Sequence, residues 1–267
     1  WAEFDPETGE LGAEVFEPLI GDRTRLVALT AASNAIGTKP DVPAICARAH
    51  AAGAVTYVDG VHATSHGPID IAALHADFYV CSTYKLFGPH AGALISDPAR
   101  LDQLKPAKLV PSPDEVPDRF ERGTPALELL AGVAAAVDWI AGLADVPGTR
   151  RERVVAALTA VEHYLAELLE HALTGLAAIP GVRLLGAARR RTSTISFVLD
   201  GHQPNEIAKR LAKQGIAVWA GDNYAYELMR RFGLGDSGGA VRASIVLYND
   251  RADVDRLIEA VAELARG

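Results

Sequence analysis

Ala54-Val-Thr-Tyr-Val-Asp59 and Asp77-Phe-Tyr-Val-Cys-Ser82 are short apolar stretches, and each ends in a polar residue. Such continuous apolar runs predict strands of a parallel sheet, because these strands are covered on both faces by helices. A third run, Arg25-Leu-Val-Ala-Leu-Thr30, comes earlier, and Asp41 is placed to cap a helix between it and the second run. With a further strand from Ala91 to Ser96, the pattern predicts an α/β fold with a mainly parallel sheet.

The second half of the chain has a different pattern. Residues 105–117 hold four prolines and predict an irregular loop. Beyond this loop the periodicity predicts helices over 126–143, from 149 onward, over 204–213 and over 252–265, and strands over 182–185, 192–199, 216–219 and 241–247. We therefore expect residues 1–145 to belong to a large domain, and residues 146–267 to form a smaller α+β domain.

Asp59 and Lys85 are a carboxylate and an amine that follow neighbouring predicted strands. We expect the flanks of Lys85 to be buried, because Leu86-Phe-Gly-Pro89 and the strand after it are apolar. A lysine withdrawn from water is a competent nucleophile toward an aldehyde. The pair therefore predicts a pyridoxal phosphate (PLP) site, in which the lysine binds the cofactor aldehyde as a Schiff base and the carboxylate keeps the pyridine nitrogen protonated.

Composition excludes several other classes of function. The formal net charge of −8 argues against a nucleic-acid partner. Apolar stretches are too short to span a membrane, and no His, Cys or carboxylate set has the spacing of a metal site. Two cysteines, Cys46 and Cys81, are too few for a disulfide framework and suit a reducing cytoplasm.

Five segments carry a resemblance to a known family. They are Ser33-Asn34, Val58-Asp-Gly-Val-His62, Ser82-Thr-Tyr-Lys85-Leu-Phe-Gly-Pro89, Arg119-Phe-Glu-Arg-Gly-Thr-Pro125 and Val241-Arg-Ala-Ser244. In order and interval they resemble the class V aminotransferase family, closest to its cysteine desulfurase-like branch, over essentially the whole chain. The resemblance implies the fold type I of PLP-dependent transferases. Members of that family extend further at the amino end, so we expect the natural start to lie upstream of Trp1.

The resemblance also implies roles for residues around the cofactor ring. Asp59 matches the residue that pairs with the pyridine nitrogen, and Lys85 the lysine that binds the aldehyde. Asn34 and His62 match residues that approach the ring hydroxyl. Val61 is implied to lie against one face of the ring.

Four further residues match positions that bind phosphate or substrate. Ser82 matches a phosphate-binding serine, and Tyr84 stands where the desulfurases usually carry His. Thr124 matches a residue that reaches the phosphate of the other subunit's cofactor, which implies a homodimer with shared sites. Arg242 matches the arginine that holds the substrate carboxylate, for which a planar guanidinium is well suited.

One loop departs from the family pattern. Trp219-Ala-Gly-Asp-Asn-Tyr224 aligns with the segment in which desulfurases carry a second arginine and the cysteine that receives sulfur; Trp219 and Tyr224 occupy those places. No cysteine occurs from 219 to 250, so the sequence does not support persulfide transfer through this loop. Tyr224 is a candidate substrate contact or a packing residue.

The sequence thus predicts a PLP-dependent enzyme that acts on a small amino acid. Chemistry from a Cα carbanion with a C–S lyase or β-elimination outcome needs no acceptor thiol. Transamination and epimerisation use the same carbanion and stay open. A protein of a different class, a degenerate cofactor-binding or interaction module, is the alternative without catalysis.

Overall fold

The computed structural model describes residues 1–121 and 123–267, so that Arg122 lies outside the description. Within it the chain forms two compact units. Unit 1 consists of Trp1–Val15, Ala32–Pro40 and Thr159–Gly267, and unit 2 consists of Phe16–Ala31 and Asp41–Leu158. The domain boundary expected near residue 145 stays a prediction.

Unit 2 contains a four-stranded sheet. Its strands are β1 (Leu26–Thr30), β2 (Val55–Asp59), β3 (Phe78–Ser82) and β4 (Gly92–Ser96), in the spatial order β1-β2-β3-β4. β1, β2 and β3 are parallel, whereas β4 pairs antiparallel with β3. This arrangement confirms the predicted α/β fold with a mainly parallel sheet.

Five helices accompany this sheet along the chain: α1 (Val42–Ala51), α2 (Ile71–Leu74), α3 (Pro98–Gln103), α4 (Leu127–Ala141) and α5 (Arg150–Ala177). Asp41 caps α1 as predicted, since its Oδ1 accepts a hydrogen bond from the Ala44 N–H at 3.2 Å. The proline-rich segment 105–117 is irregular as predicted, and one turn of 3₁₀ helix, Asp118–Phe120, follows it. α5 is long, and its residues are divided between the two units.

Burial alternates along β1, β2 and β3, whereas no residue of β4 is buried. Val27, Leu29 and Val58 are buried, whereas Leu26 is 54% exposed and Leu94 in β4 is 47% exposed. The expectation that the flanks of Lys85 are buried was therefore wrong for part of them. Phe87, whose φ of 61° lies in the left-handed region, is also 38% exposed.

Unit 1 contains the second sheet, built from β5 (Val182–Leu185), β6 (Thr194–Leu199), β7 (Trp219–Gly221) and β8 (Ala240–Ser244) in the order β5-β6-β8-β7. All three pairings are antiparallel. Three helices, α6 (Pro204–Lys213), α7 (Tyr226–Arg231) and α8 (Arg251–Arg266), follow in the same unit. Leucines of α5 and α8 and Phe197 of β6 belong to one buried apolar core.

The strand predicted over 216–219 is displaced in the structure. β7 begins at Trp219, where the prediction ended. Ile216 and Val218 are apolar residues that pack against the core, and they also line a cavity of about 410 Å³. Hydrogen bonding to β8, which defines the strand, starts only at Trp219.

None of the helices in the described residues combines the length and the apolar character that crossing a bilayer requires.

Candidate active site

Asp59 is the last residue of β2 and is exposed at the carboxyl end of the sheet. Its backbone carbonyl accepts a hydrogen bond from the Ala31 N–H at 2.8 Å, which fixes the main chain beside β1. Oδ1 of its carboxylate accepts a hydrogen bond from the Val61 N–H at 2.9 Å. Across residues 1–121 and 123–267, no other hydrogen bond or ion pair reaches this carboxylate, so Oδ2 is available for a ligand.

The turn after Asp59 rests on a buried tyrosine. Tyr79 of β3 is 2% exposed, and a Cβ added to Gly60 would lie only 1.9 Å from its Cζ. The Thr64 hydroxyl donates to the Gly60 carbonyl at 2.6 Å and lies 2.9 Å from the Tyr79 hydroxyl. Burial raises the pKa of Tyr79 to about 12, against the opposing effect of the Thr64 hydrogen bond, so the phenol stays protonated and can donate. These contacts fix the backbone next to Asp59.

Lys85 lies in a turn of 3₁₀ helix that directly follows β3. Thr83, buried at the start of this turn, donates through its hydroxyl to the Pro89 carbonyl at 2.6 Å and through its N–H to the Ala91 carbonyl at 2.9 Å. The Gly88 N–H donates in turn to the Thr83 carbonyl at 3.0 Å. A closed network of main-chain contacts thus holds the loop that carries the lysine.

β2 and β3 are adjacent and parallel, with Asp59 opposite Val80. The carboxyl ends of parallel neighbours meet at one edge of a sheet, which is where ligands bind in this class of fold. The structure therefore brings Asp59 to the same edge as Ser82 and the turn that carries Lys85.

The other predicted cofactor residues of unit 2 differ in their surroundings. His62 is half-buried, and its ring lies 4.8 Å from that of His66. The Tyr84 ring is 45% exposed and stacks on His90 at 4.9 Å. Thr124 is exposed just before α4, beyond the undescribed Arg122.

Unit 1 carries the predicted substrate residues. Arg242 of β8 donates through Nη1 to the Asn34 carbonyl at 3.0 Å, and burial lowers its pKa below the ordinary value. The Asn34 side-chain amide donates to the Asn223 carbonyl at 2.9 Å. Asn34 therefore joins Arg242 to the loop before α7, and its predicted contact with the ring hydroxyl stays a prediction.

That loop holds its residues in an uncommon conformation. Asn223 and Tyr224 have φ of 56° and 57°, a left-handed region that non-glycine residues seldom adopt. Asn223 is 3% exposed, and its Oδ1 is buried with no hydrogen-bond partner in the described structure. The Tyr224 side chain is 100% exposed, and its N–H donates to Asp222 Oδ1 at 3.0 Å.

The donor set of unit 2 fits PLP. A carboxylate with one oxygen available can pair with a protonated pyridine nitrogen, an amine can bind an aldehyde, and the hydroxyls of Ser82 and Tyr84 can donate to a phosphate. A metal centre has no comparable support, since no group of three or more potential His, Cys, Asp or Glu ligands is clustered among the described residues.

Sequence reasoning missed several residues that shape these regions. Tyr79 and Thr64 support the Asp59 turn, and Thr83 closes the Lys85 loop. Gly60 was the available signal, because a glycine directly after a strand often marks a close approach of another group. The link between Asn34 and Asn223, 189 residues apart, has no local signal.

Comparison with known proteins agrees with these features. The family model described as Aminotransferase class-V matches residues 2–257. A probable cysteine desulfurase of Mycolicibacterium paratuberculosis is 37% identical over 98% of this chain and 38% of its own length. A probable cysteine desulfurase of Vibrio cholerae is 35% identical over 95% of this chain and 62% of its own length. The chain thus spans only about two fifths to three fifths of the relatives it matches.

Solved structures give the same result for the fold. The cysteine desulfurase CsdA of Escherichia coli superposes with a TM-score of 0.80 at 31% identity, over 95% of this chain and 62% of that one. The apo cysteine desulfurase of Thermococcus onnurineus superposes with a TM-score of 0.87 at 27% identity, over 100% of this chain and 66% of that one.

Proposed function

This chain belongs to the aminotransferase class-V family, and on that premise we propose that the protein is a PLP-dependent enzyme that cleaves the Cβ–S bond of a small amino acid. One observation carries the proposal. Two adjacent parallel strands end in Asp59 and in the Ser82–Lys85 turn, so that an acid and an amine lie at one sheet edge.

The bound cofactor supplies an electron sink for negative charge at the substrate Cα. Lys85 would hold the cofactor through Nζ and would carry the proton that leaves the substrate Cα. Asp59 would pair with the pyridine nitrogen, and its negative charge would keep that nitrogen protonated. Ser82 and Tyr84 donate to the phosphate, while Asn34, His62 and Val61 are proposed ring contacts.

Arg242 binds the substrate carboxylate in this proposal. Its guanidinium is half-buried and, within residues 1–121 and 123–267, makes one hydrogen bond, to the Asn34 carbonyl. No acidic side chain of the described chain forms an ion pair with it. A half-buried cation without a counter-ion favours an anionic ligand, and a guanidinium binds a carboxylate with two parallel hydrogen bonds.

Tyr224 lies on the exposed loop where desulfurases carry the acceptor thiol, and we propose it as a second substrate contact. Both cysteines of the chain, Cys46 and Cys81, are buried, and burial raises the pKa of each thiol. A buried neutral thiol is a poor sulfur acceptor. The sulfur therefore leaves as a free thiol or sulfide.

We further propose a cytoplasmic homodimer in which Thr124 reaches the phosphate of the other subunit's cofactor. Directly after Thr124, α4 exposes 65% of Leu127 and 53% of Leu130, an apolar surface that a second copy could cover. Sedimentation of the full-length protein tests the dimer, and a monomer at micromolar concentration would contradict it.

The test of the enzyme uses the full-length protein that carries this chain. Purified with PLP, it should be yellow, lose that colour on borohydride reduction, and carry the reduced adduct on Lys85 in a peptide mass spectrum. Lys85→Ala should be colourless, while Lys105→Ala, which changes an exposed lysine of unit 2, should behave like the wild type. An adduct on another side chain, or none, would refute the cofactor site.

The reaction is tested by incubation with a panel of amino acids. Pyruvate together with sulfide or a thiol supports cleavage at Cβ, whereas a keto acid that retains the side chain indicates transamination. Loss of optical activity without either product indicates epimerisation. A protein that binds PLP and yields none of these products would support the cofactor-binding module instead.

A further inference from the structure

Trp219 and Arg242 face the same side of the second sheet. They are directly opposite each other in the antiparallel pair of β7 and β8. Side chains of directly opposed residues project from one face, with Cβ atoms about 5 Å apart. Trp219 is 62% exposed, so a large apolar surface lies beside the half-buried guanidinium.

Asn34 connects the same arginine to a second exposed aromatic side chain. It accepts from Arg242 through its carbonyl and donates to the Asn223 carbonyl through its side-chain amide. Tyr224 is the next residue; its φ is 57° and its side chain is 100% exposed. Two exposed aromatic residues are thus fixed to the elements that fix Arg242.

The loop lacks the groups that would bind a charged or thiol-transferring substrate. Residues 219–226 read Trp-Ala-Gly-Asp-Asn-Tyr-Ala-Tyr, without Lys, Arg, His or Cys. Its single charged side chain, Asp222, accepts a hydrogen bond from the Tyr224 N–H. What the loop offers a substrate side chain is therefore aromatic surface, which favours apolar and aromatic groups.

Building on the proposed function, we propose that Trp219 determines specificity and that the substrate is a cysteine thioether whose sulfur carries an apolar or aromatic group. Arg242 holds the carboxylate, and Trp219 contacts the group on sulfur. The Cα proton leaves, the Cβ–S bond breaks, and the sulfur takes a proton and departs as a thiol. With one water molecule the remaining carbons become pyruvate and the nitrogen becomes ammonium, so no oxidant or reductant is needed.

The test compares S-benzyl-L-cysteine with S-methyl-L-cysteine on the PLP-loaded full-length protein, and follows pyruvate and free thiol. The wild type should prefer the benzyl compound by at least about tenfold in kcat/KM, since a well-filled apolar pocket distinguishes substrates on that scale. Trp219→Ala should remove most of this preference and change the methyl compound by less than about twofold. Trp219→Phe should restore most of it.

A binding measurement without turnover separates specificity from folding. Trp219→Ala should weaken competitive inhibition by 3-phenylpropionate about tenfold and leave inhibition by propionate unchanged. The control Tyr248→Ala changes another exposed aromatic side chain of unit 1 and should alter neither compound.

The outcomes distinguish this inference from the function on which it rests. If thioethers are cleaved and Trp219→Ala slows both equally, or if free cysteine with sulfide release is the better substrate, the specificity role is wrong and the C–S lyase stands. If the Lys85 adduct forms and no thioether is cleaved, the proposed reaction is wrong, and the substrate class with it.

Discussion

Two aspartates in the first sheet differ in how their carboxylates are used. Asp77 precedes β3, and its side chain is only 5% exposed. Its Oδ2 accepts from the Thr56 N–H at 2.7 Å, the Thr56 hydroxyl at 3.0 Å and His50 Nε2 at 2.8 Å, and its Oδ1 pairs with Arg100. Asp59, at the opposite end of β2, accepts one backbone N–H and is exposed.

Two arginines of unit 1 show the same contrast. Arg191 donates to three carbonyls, those of Gly186, Ile36 and Thr194, at 3.0 to 3.1 Å. Arg242 donates to one. Burial lowers the pKa of both guanidinium groups, so the contrast lies in how many carbonyls each one reaches; of their nitrogen atoms, only Nε of Arg191 is buried without a partner in the described structure.

The number of protein partners therefore distinguishes charged groups that are hydrogen-bonded within the fold from charged groups that can still bind a ligand. A buried charge with several protein partners stabilises the structure, and removing it leaves those partners unsatisfied. A charge whose backbone is fixed but whose polar atoms lack partners has bonding capacity for a ligand. By this criterion we propose Asp59 and Arg242 as ligand-binding residues, and Asp77 and Arg191 as structural residues.

The largest expected effect is on Asp59. Asp59→Asn should lower kcat by roughly 10²–10³-fold, because the amide cannot hold the pyridine nitrogen protonated. The melting temperature should change little, since the carboxylate accepts only one backbone N–H. Near wild-type turnover in Asp59→Asn would refute the assignment, and Asp77→Asn is the matched control, for which we expect normal kcat in the folded protein.

Arg242 follows. Arg242→Gln should lower kcat/KM about 100-fold, because it removes two charge-assisted hydrogen bonds to the substrate carboxylate. Arg191→Gln should instead lower the free energy of unfolding and leave kcat/KM of the folded enzyme unchanged. The comparison fails if the Arg191 variant loses affinity for carboxylate inhibitors as strongly as the Arg242 variant.

Asp77 should have a smaller effect, on stability alone. Asp77→Asn should lower the free energy of unfolding by about 2 kcal/mol, less than for a fully buried pair, because His50 and Arg100 are 40% and 39% exposed. Burial opposes ionisation of Asp77, but hydrogen bonds from His50 and Thr56 outweigh it and hold its pKa below the ordinary value.

This pKa direction gives the pH dependence a sign. An aspartate in the unfolded chain titrates near about 3.9, above the folded-state value. The contribution of Asp77 is therefore complete above that pH and is lost as the pH falls through the folded-state pKa. Urea unfolding should show the wild type and Asp77→Asn converging as the pH falls into the acid range; a difference in the free energy of unfolding that stays constant from neutral pH into acid would contradict the mechanism.

The sequence predicted the first sheet well because burial and strand pairing coincide there. β1 to β3 lie within a residue or two of their predicted bounds, and their ends place Asp59 and Ser82. For β7 the two properties separate. Ile216 and Val218 are apolar because they pack on the core, whereas pairing with β8 begins at Trp219, so the apolar pattern predicted the wrong residues.

In the candidate site, too, some features could be predicted from the sequence and others could not. The positions of Asp59 and Lys85 after adjacent strands could be predicted from the apolar pattern, and their proposed roles follow from residue type at those positions. The contact between Tyr79 and Gly60, which supports Asp59, could not be predicted, and neither could the hydrogen bond from Asn34 to Asn223, 189 residues away. Contacts of that kind depend on the assembled fold and leave no periodic pattern in the chain.

The smallest expected effect gives the sharpest test of the comparison between the two ends of β2, because each substitution removes a single hydroxyl. Thr64→Val removes the group that joins Tyr79 to the Gly60 carbonyl, one residue from Asp59. Thr56→Val removes a hydroxyl that bonds to Asp77. Each should lower the free energy of unfolding by about 1 kcal/mol, the usual loss for one buried hydrogen bond.

Only Thr64→Val should also weaken PLP binding, by about threefold to tenfold, because only it loosens the backbone that orients Asp59. Titration of the apoprotein with PLP, followed by absorbance, measures this difference at matched stability. Equal weakening in Thr56→Val would mean that cofactor affinity follows overall stability, and that the two ends of β2 are not as distinct as their hydrogen bonds indicate.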